Sequence, residues 1–303
     1  MEFDPGARGW CYILEEHGLS KGDFDYVARL IGDCRKNGML PIDFTGDDDV
    51  GREFVHVEQL DEFGPEGQAQ RVVDFVDNAH KQYDPLSLWE FQDSYVELLV
   101  EKVGLRSLFA PVCDQYHVPL GNTKGSPSII MRVKMLRRFA RWQAEGKQCV
   151  LLYCGDHDIH GMRISTALRS NLADVLPAFC RKYPEWGDFD LDAVVIERFG
   201  LNADFIKRHR LSWTANLVTG GGKDLGDAEH PYHHHRDVQA YIKQHGRKKV
   251  EADALVTRPQ AGRALCEAAI LRYVDEGGIK KHERAVKRER KQMRVALDRL
   301  LGR

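Results

Sequence analysis

The fold class of this chain follows from one stretch, Cys149-Val150-Leu151-Leu152-Tyr153-Cys154-Gly155-Asp156-His157-Asp158-Ile159-His160-Gly161. An earlier stretch has the same form, Ser94-Tyr95-Val96-Glu97-Leu98-Leu99-Val100-Glu101-Lys102. Each is an apolar, β-favouring run that stops at carboxylates. In an α/β sheet the carboxyl ends of neighbouring parallel strands meet at one edge, where such folds build their sites. We therefore expect Glu101, Asp156 and Asp158 to converge.

Three close carboxylates need a counter-charge, because two like charges about 4 Å apart repel by roughly 4 kcal/mol at an effective dielectric near 20. A hard cation relieves this repulsion, and oxygen-only ligands favour Mg²⁺, with Mn²⁺ as the other choice. Asp156 and Asp158 also begin like an EF-hand calcium loop, but the closing position of such a loop is Ala167. A plain surface turn is the remaining alternative. The upstream Glu-Lys strand end and the helix expected after Gly161 favour the metal site.

The charge balance argues against a protein that coats nucleic acid. The chain has 303 residues and a formal net charge of −2. Contact with DNA must therefore come from local basic patches. One such stretch contains Arg132, Lys134, Arg137 and Arg138.

The seven cysteines are scattered and form no Cys-x-x-Cys pair, which argues against a disulfide scaffold and a zinc ribbon. No run of about eighteen apolar residues and no signal peptide is present, so a cytoplasmic location is expected. A nucleotide-binding Gly-x-x-x-x-Gly-Lys-Ser/Thr run is also missing.

The acid arrangement resembles the Toprim domain, in which one Glu after a first strand and an Asp-x-Asp after a later strand bind magnesium at a DNA phosphate. The segment Val118–Ser128 is similar to the loop between these motifs in the A subunit of topoisomerase VI and its relatives. Arg198–Ile206 and Val250–Leu255 resemble downstream segments of that family. The resemblance is best to small bacterial, archaeal and viral relatives and covers roughly residues 8 to 275.

The N-terminal segment carries the second half of the resemblance. Arg8–Gly18 is similar to the family segment that contains the tyrosine that attacks DNA, and Tyr12 occupies that position. The resemblance implies that Arg8, one helical turn away, stabilises the phenolate or holds the phosphate. Without it, a tyrosine on a short amphipathic helix is typically a packing residue. The sequence identifies no general base for Tyr12.

A second N-terminal helix is predicted from an apolar stripe at helical spacing, which ends at Asn37-Gly38. The stripe consists of Phe24, Val27, Leu30, Ile31 and Cys34. By resemblance this is the recognition helix of a winged-helix module, followed by a wing strand over residues 39–44. It would expose Arg29, Arg35 and Lys36 to DNA. Only seven residues precede Arg8, so we expect this module to be truncated.

The expected fold is α/β: a Toprim (Rossmann-like, mostly parallel) sheet, with a truncated winged-helix-like module before it and a helix after it. Strands are predicted near residues 95, 118, 150 and 193, with helices on both faces of the sheet. The expected domains are the winged-helix-like module (1–62), a helical connector (63–90) with a helix over 71–83, the Toprim domain (91–275) and a charged C-terminal helix (276–303).

The resemblance implies magnesium-dependent cleavage of double-stranded DNA by a topoisomerase VI A-like enzyme. The Tyr12 hydroxyl would attack a backbone phosphate and remain linked to a 5′ end, with Arg8 and the three acids as its catalytic partners. In the family the tyrosine of one protomer works with the acids of the other, so a homodimer is implied. Lys102 and Lys124 are candidate phosphate contacts. ATP-driven strand passage would require a separate ATPase partner.

Two alternatives keep part of this interpretation. In the first, the metal site hydrolyses DNA with water as the nucleophile, as related Toprim nucleases of mobile elements or defence systems do. In the second, the chain is a non-catalytic DNA-binding subunit, because Ile159 stands where relatives commonly have Pro.

Overall fold

The computed structural model describes residues 5–45, 63–123, 127–218 and 222–303. Within these ranges the chain divides into two compact units. The first contains the described residues of 1–48 and 94–273, and the second those of 49–93 and 274–303. Tyr12 and the three predicted acids thus belong to the same unit.

The first unit is built on a four-stranded sheet in which all strands run parallel. Its strands are β1 (Ser94–Val100), β2 (Leu120–Asn122), β3 (Gln148–Cys154) and β4 (Val195–Gly200), in the order β2-β1-β3-β4. The chain turns to one edge of the sheet after β1 and to the other edge after β3. The boundary between β1 and β3 is therefore a topological switch point, where ligand crevices form. The predicted α/β fold is confirmed at this level.

Helices connect and cover these strands. Their bounds are α1 (Ala7–Glu15), α2 (Phe24–Lys36), α3 (Pro65–Gln82), α4 (Val103–Gln115), α5 (Ile129–Ala144), α6 (Ile159–Met162), α7 (Ile164–Ala173), α8 (Leu176–Lys182), α9 (Ala203–His209), α10 (Arg236–His245), α11 (Pro259–Ile270) and α12 (Glu276–Leu300). Short 3₁₀ helices lie at Lys21–Asp23, Leu88–Phe91, Pro184–Trp186 and Ala252–Thr257.

The sheet is covered on both faces, as predicted. β1 is buried along its whole length, which is typical of a parallel strand between two helical layers. On one face Tyr95 stacks on Trp142 of α5, with ring centroids 5.5 Å apart. On the other face Glu197 of β4 accepts a hydrogen bond of 2.5 Å from Tyr273, which follows α11.

An ion pair between a buried carboxylate and a half-buried guanidinium joins α5 to its face of the sheet. Glu97 of β1 accepts two hydrogen bonds from Arg138, at 2.6 and 2.8 Å, and a third from Tyr95 at 2.9 Å. Burial raises the pKa of Glu97, and the Arg138 guanidinium opposes that shift. Arg138, one residue of the basic stretch considered above, therefore stabilises the fold.

The two predicted N-terminal helices are present as α1 and α2, but the predicted wing strand is wrong. Residues 39–45 form turns, and their carbonyl and hydroxyl groups bind to α2. Arg35 donates to the Ile42 carbonyl at 2.8 and 2.5 Å and to the Thr45 hydroxyl at 2.6 Å. Trp10 stacks on Phe44 with ring centroids 4.5 Å apart. The Ile42 carbonyl, a backbone group that a strand ladder would need, is therefore already bound.

The second unit packs α12 against α3 and the 3₁₀ helix Leu88–Phe91. The helix predicted over 71–83 extends over Pro65–Gln82, and the C-terminal helix begins at Glu276. His282 of α12 is buried and bonds to the Leu86 carbonyl at 3.0 Å, while Arg290 donates to the Tyr83 carbonyl at 2.8 Å. Through the ranges that are described, no helix combines the length and apolar character needed to cross a membrane.

Candidate active site

Glu101 links the carboxyl ends of β1 and β3 at the switch point. Its backbone N–H donates to the Cys154 carbonyl at 3.1 Å, which extends the strand pairing by one residue. Its Oε2 accepts from the backbone N–H of Asp156 at 3.0 Å and from the Tyr153 hydroxyl at 3.2 Å. The predicted neighbourhood of the two strand ends is therefore present.

Lys102 lies between two of the predicted acids. Its Nζ is 3.1 Å from Asp156 Oδ2 and 3.6 Å from Glu101 Oε1. Burial lowers the pKa of this ammonium group, but the Asp156 and Glu101 carboxylates outweigh burial and raise it overall. A positive charge thus already separates the two carboxylates, as the repulsion argument requires.

Asp156 is the most buried acid of the site, at 5% exposed. Its Oδ1 accepts from the backbone N–H of Ala252 at 2.8 Å, at the start of a 3₁₀ helix. Burial and the neighbouring Glu101 carboxylate raise the pKa of Asp156 to about 7, while Lys102 and the Ala252 N–H oppose the shift. Its proton affinity is therefore set by its surroundings.

Asp158 is the N-cap of α6. Its carboxylate accepts from the Gly161 N–H at 2.6 Å, which satisfies an N–H group left unpaired in the first turn of a helix. The same carboxylate faces the cavity described below. Asp158 thus has a structural role in addition to the one predicted.

Two glycines allow this close packing of backbone and carboxylates. A Cβ added at Gly161 would lie 2.0 Å from the Asp156 carbonyl oxygen. At Gly155 it would lie 2.6 Å from Glu101 Oε2 and 2.5 Å from the Tyr153 ring. Any side chain at either position would displace a predicted acid.

The three acids line one cavity of about 770 Å³. Its wall also contains a fourth carboxylate, Glu251, and several cationic or titratable side chains. These are Lys102, His160, Arg163 and Lys249. We call this space the acid-lined cavity. Its mixed charges suit an anionic ligand that arrives together with a cation.

The described residues contain no group of three His, Cys, Asp or Glu side chains already close enough to hold a metal ion. Glu101 and Asp156 share the charge of Lys102, and Asp158 caps its own helix. The donor chemistry nevertheless fits a hard divalent cation, because all three predicted ligands offer carboxylate oxygens to one cavity.

Tyr12 lies in the same unit as the acid-lined cavity, but it is not part of the cavity wall. Its side chain is 1% exposed, and its hydroxyl donates to Glu251 Oε2 at 2.6 Å. The Tyr12 ring meets Phe24 edge-on, and Lys21 lies over it. Glu251 therefore stands between the predicted nucleophile and the cavity.

Glu251 is anionic and surrounded by donors. Arg8 Nη2 lies 3.2 Å from Glu251 Oε2, and Lys249 Nζ lies 3.7 Å from Oε1. Burial opposes ionisation, but the Tyr12 hydrogen bond and these two cations lower the pKa of Glu251. Burial, followed by the Glu251 charge, raises the pKa of the Tyr12 phenol well above its ordinary value. The contact keeps Tyr12 protonated.

The residues predicted to contact DNA lie in different surroundings. Arg29 donates to the Asp25 carbonyl at 3.2 Å, and Lys36 pairs with Asp33 at 3.2 Å on the exposed side of α2. Arg35 is bound by the turns that follow α2. Lys124 lies outside the described residues.

Sequence reasoning missed Glu251 and Lys249 as parts of the site. Glu251 lies within the quoted Val250–Leu255 segment and Lys249 directly precedes it, but nothing in the sequence indicates that this segment returns to the ends of β1 and β3. The return is made by an isolated antiparallel bridge between His157 and Val250. An acid within a segment that resembles a family motif was the available signal.

The fold and the site together define an α/β protein with an all-parallel sheet and an acid-lined cavity at its switch point. A scan of protein-family models and searches of curated proteins and of solved structures found no match.

Proposed function

We propose that this protein cleaves DNA strands in a magnesium-dependent reaction at the acid-lined cavity, as a Toprim-type enzyme of the topoisomerase VI A-like class. The observation that supports this most is the pairing of Glu101 and Asp156 across the switch point, on either side of one ammonium group. Acids at two adjacent strand ends that could exchange this ammonium for a shared metal ion are an arrangement suited to a phosphodiester-cleaving metal site.

Glu101, Asp156 and Asp158 would hold the ion, Mg²⁺ or alternatively Mn²⁺. When bound, the ion supplies positive charge for the phosphate oxygens at which negative charge develops. Lys102 and Lys249 extend that charge along the cavity wall and would bind the neighbouring phosphates of the backbone. Arg163 stands on the same wall and pairs with Asp237 at 2.9 Å.

In the covalent version of this function the Tyr12 oxygen attacks the phosphorus. A bond forms between them, the bond to the 3′ oxygen breaks, and the protein stays linked to the 5′ end. A homodimer would bring the tyrosine of one protomer to the acids of the other, and each protomer would cut one strand. A separate ATPase would be the partner for strand passage.

The hydrolytic version is favoured by one specific observation. The Tyr12 hydroxyl is buried and bonded to Glu251, whereas water reaches the acid-lined cavity directly. Water would then attack the phosphorus, and the products would be free of protein. The two versions share the same acids and differ only in the nucleophile.

The test is cleavage of supercoiled plasmid by the purified protein with magnesium, read on denaturing gels with and without protease digestion. Ends that enter the gel only after protease support Tyr12 and should be lost in Tyr12→Phe. Protein-free ends that persist in Tyr12→Phe support hydrolysis.

Asp156→Asn and chelation of the metal should each abolish cutting, while the exposed control Asp188→Asn should retain it. DNA binding without any cleavage would overturn the enzymatic proposal and favour the non-catalytic subunit.

A further inference from the structure

We infer that Glu251 decides which nucleophile attacks the phosphodiester: its hydrogen bond withholds the Tyr12 hydroxyl from attack until a bound phosphate draws the cationic partners of Glu251 away. This inference rests on the proposed cleavage function. It makes Glu251 a positioning residue, since it would act through Tyr12.

The geometry of Glu251 gives the first step. One carboxylate oxygen accepts the Tyr12 hydroxyl at 2.6 Å, and the same side chain forms part of the cavity wall. Tyr12 is almost completely buried behind it. For the phenol oxygen to reach a phosphate, at this cavity or at that of a partner protomer, the Tyr12 hydroxyl must first leave the Glu251 carboxylate.

The charge of Glu251 gives the second step, because it also opposes ionisation of the Tyr12 phenol. A phenol that donates to an anionic carboxylate at this distance cannot ionise without placing two negative charges side by side. Burial adds to that cost, so both effects raise the pKa of Tyr12. While its hydroxyl is bonded to Glu251, Tyr12 is therefore a poor nucleophile, and water is the nucleophile with access to the cavity.

The partners of Glu251 give the third step. Arg8 and Lys249 hold the carboxylate from two sides, and both are groups that bind phosphate well. Lys249 also lines the cavity, so a phosphate that enters competes with Glu251 for it. Phosphate binding would loosen the Glu251 carboxylate at the moment when a target for Tyr12 is present.

Once Tyr12 has left Glu251, its attack on the phosphodiester needs no further reagent. The Tyr12 oxygen forms a bond to phosphorus, and its proton passes to solvent water. The bond from phosphorus to the 3′ oxygen breaks, and that oxygen takes a proton from solvent. No oxidation or reduction occurs.

The direct test measures the accessibility of Tyr12 and needs no activity. We would nitrate the full chain with tetranitromethane in the presence of a chelator and quantify each tyrosine by mass spectrometry. In the wild type, Tyr12 should be protected, while the exposed Tyr26 should react as an internal standard. Glu251→Gln, which keeps the shape and removes the charge, should raise Tyr12 nitration several-fold.

Adding a duplex oligonucleotide to the wild type should also raise Tyr12 nitration. The matched control is Glu267→Gln, which changes another carboxylate that accepts from a tyrosine, Tyr116, at 2.7 Å. It should leave Tyr12 protected. If Tyr12 reacts equally in the wild type and in Glu251→Gln, the inference is overturned.

A second readout separates this inference from the cleavage function itself. In the plasmid assay, Glu251→Gln should raise the share of protein-linked ends at the expense of free ends. An unchanged or smaller share, with cutting retained, would overturn the inference and leave the cleavage function standing. Absence of cutting in every variant, with the nitration pattern as expected, would overturn the cleavage function and leave only the protection of Tyr12 by Glu251.

Discussion

Lys102 Nζ lies 3.1 Å from Asp156 Oδ2, so a side-chain cation stands beside the most buried acid of the cavity. The same ammonium is 3.6 Å from Glu101. A divalent ion at these carboxylates would compete with Lys102 for the same oxygens. The affinity of the proposed site for metal would therefore depend on a residue that is not itself a ligand.

Lys102→Met should make the protein less stable in chelator and more responsive to magnesium. Removing the ammonium leaves Glu101 and Asp156 without a counter-charge, which the ion can then supply. At about 100 times its Kd, a ligand stabilises by about 2.7 kcal/mol, or roughly 5–10 °C in Tm for a unit of this size. Thermal melts with and without magnesium measure this. Lys36→Met, at an exposed pair on α2, is the control. Equal magnesium shifts in both variants would refute the prediction.

As the pH rises above about 10, Tyr12→Phe should lose less stability than the wild type. The pKa of Tyr12 is raised in the folded state, so its contribution to stability is complete below the unfolded value near 10 and is lost as the pH rises further. The wild-type advantage over Tyr12→Phe should therefore shrink by about 1.4 kcal/mol per pH unit above 10.

Urea denaturation between pH 9 and 11 measures this difference. The exposed Tyr26→Phe serves as the reference variant. A constant difference between wild type and Tyr12→Phe across that range would contradict the assignment.

Arg138→Met should destabilise the first unit by about 3 kcal/mol, because it leaves Glu97 charged and buried without its partner. Changing both residues, as Glu97→Gln with Arg138→Met, should recover much of that loss. Lys134→Met, at an exposed position of the same helix, should change the free energy of unfolding by less than about 0.5 kcal/mol. Denaturant titration distinguishes these outcomes. A wild-type free energy of unfolding for Arg138→Met would show that the ion pair does not stabilise the fold.

Gly161→Ala should abolish cleavage, because the new methyl group would meet the Asp156 carbonyl and push the two acid-bearing residues apart. Gly32→Ala is the matched control: it lies inside α2 with open space around it and should stabilise that helix by about 0.5–1 kcal/mol. Plasmid cleavage and thermal melts of both variants provide the test. Full activity in Gly161→Ala would show that the loop tolerates rearrangement.

The sequence predicted the parallel sheet and the meeting of Glu101 with Asp156, because both depend on local signals: apolar runs that end at acids. The cap formed by Asp158 was not predicted, because the helix was expected after Gly161 and instead begins at Ile159. The direction in which the Asp158 carboxylate points depends on side-chain orientation, which the sequence pattern does not give.

The prediction of a wing strand was wrong for a different reason. Met39 to Phe44 is an apolar stretch that resembles a short strand, but the chain provides it with another set of partners. Arg35 donates twice to the Ile42 carbonyl, and Trp10 stacks on Phe44. Glu251 was missed because its position depends on contacts made across most of the chain. Local periodicity carries no information about such contacts.

The hydrogen bond between Tyr12 and Glu251 joins residues 239 positions apart. During synthesis at about 5–20 residues per second, roughly 10–50 s pass between the two. For that interval the growing polypeptide carries Tyr12, and later all three acids, without the carboxylate that holds the phenol. The ribosome-bound chain would therefore pass through a period in which the Tyr12 hydroxyl lacks its native acceptor. That period ends only when the last third of the protein, which contains Glu251, has been translated.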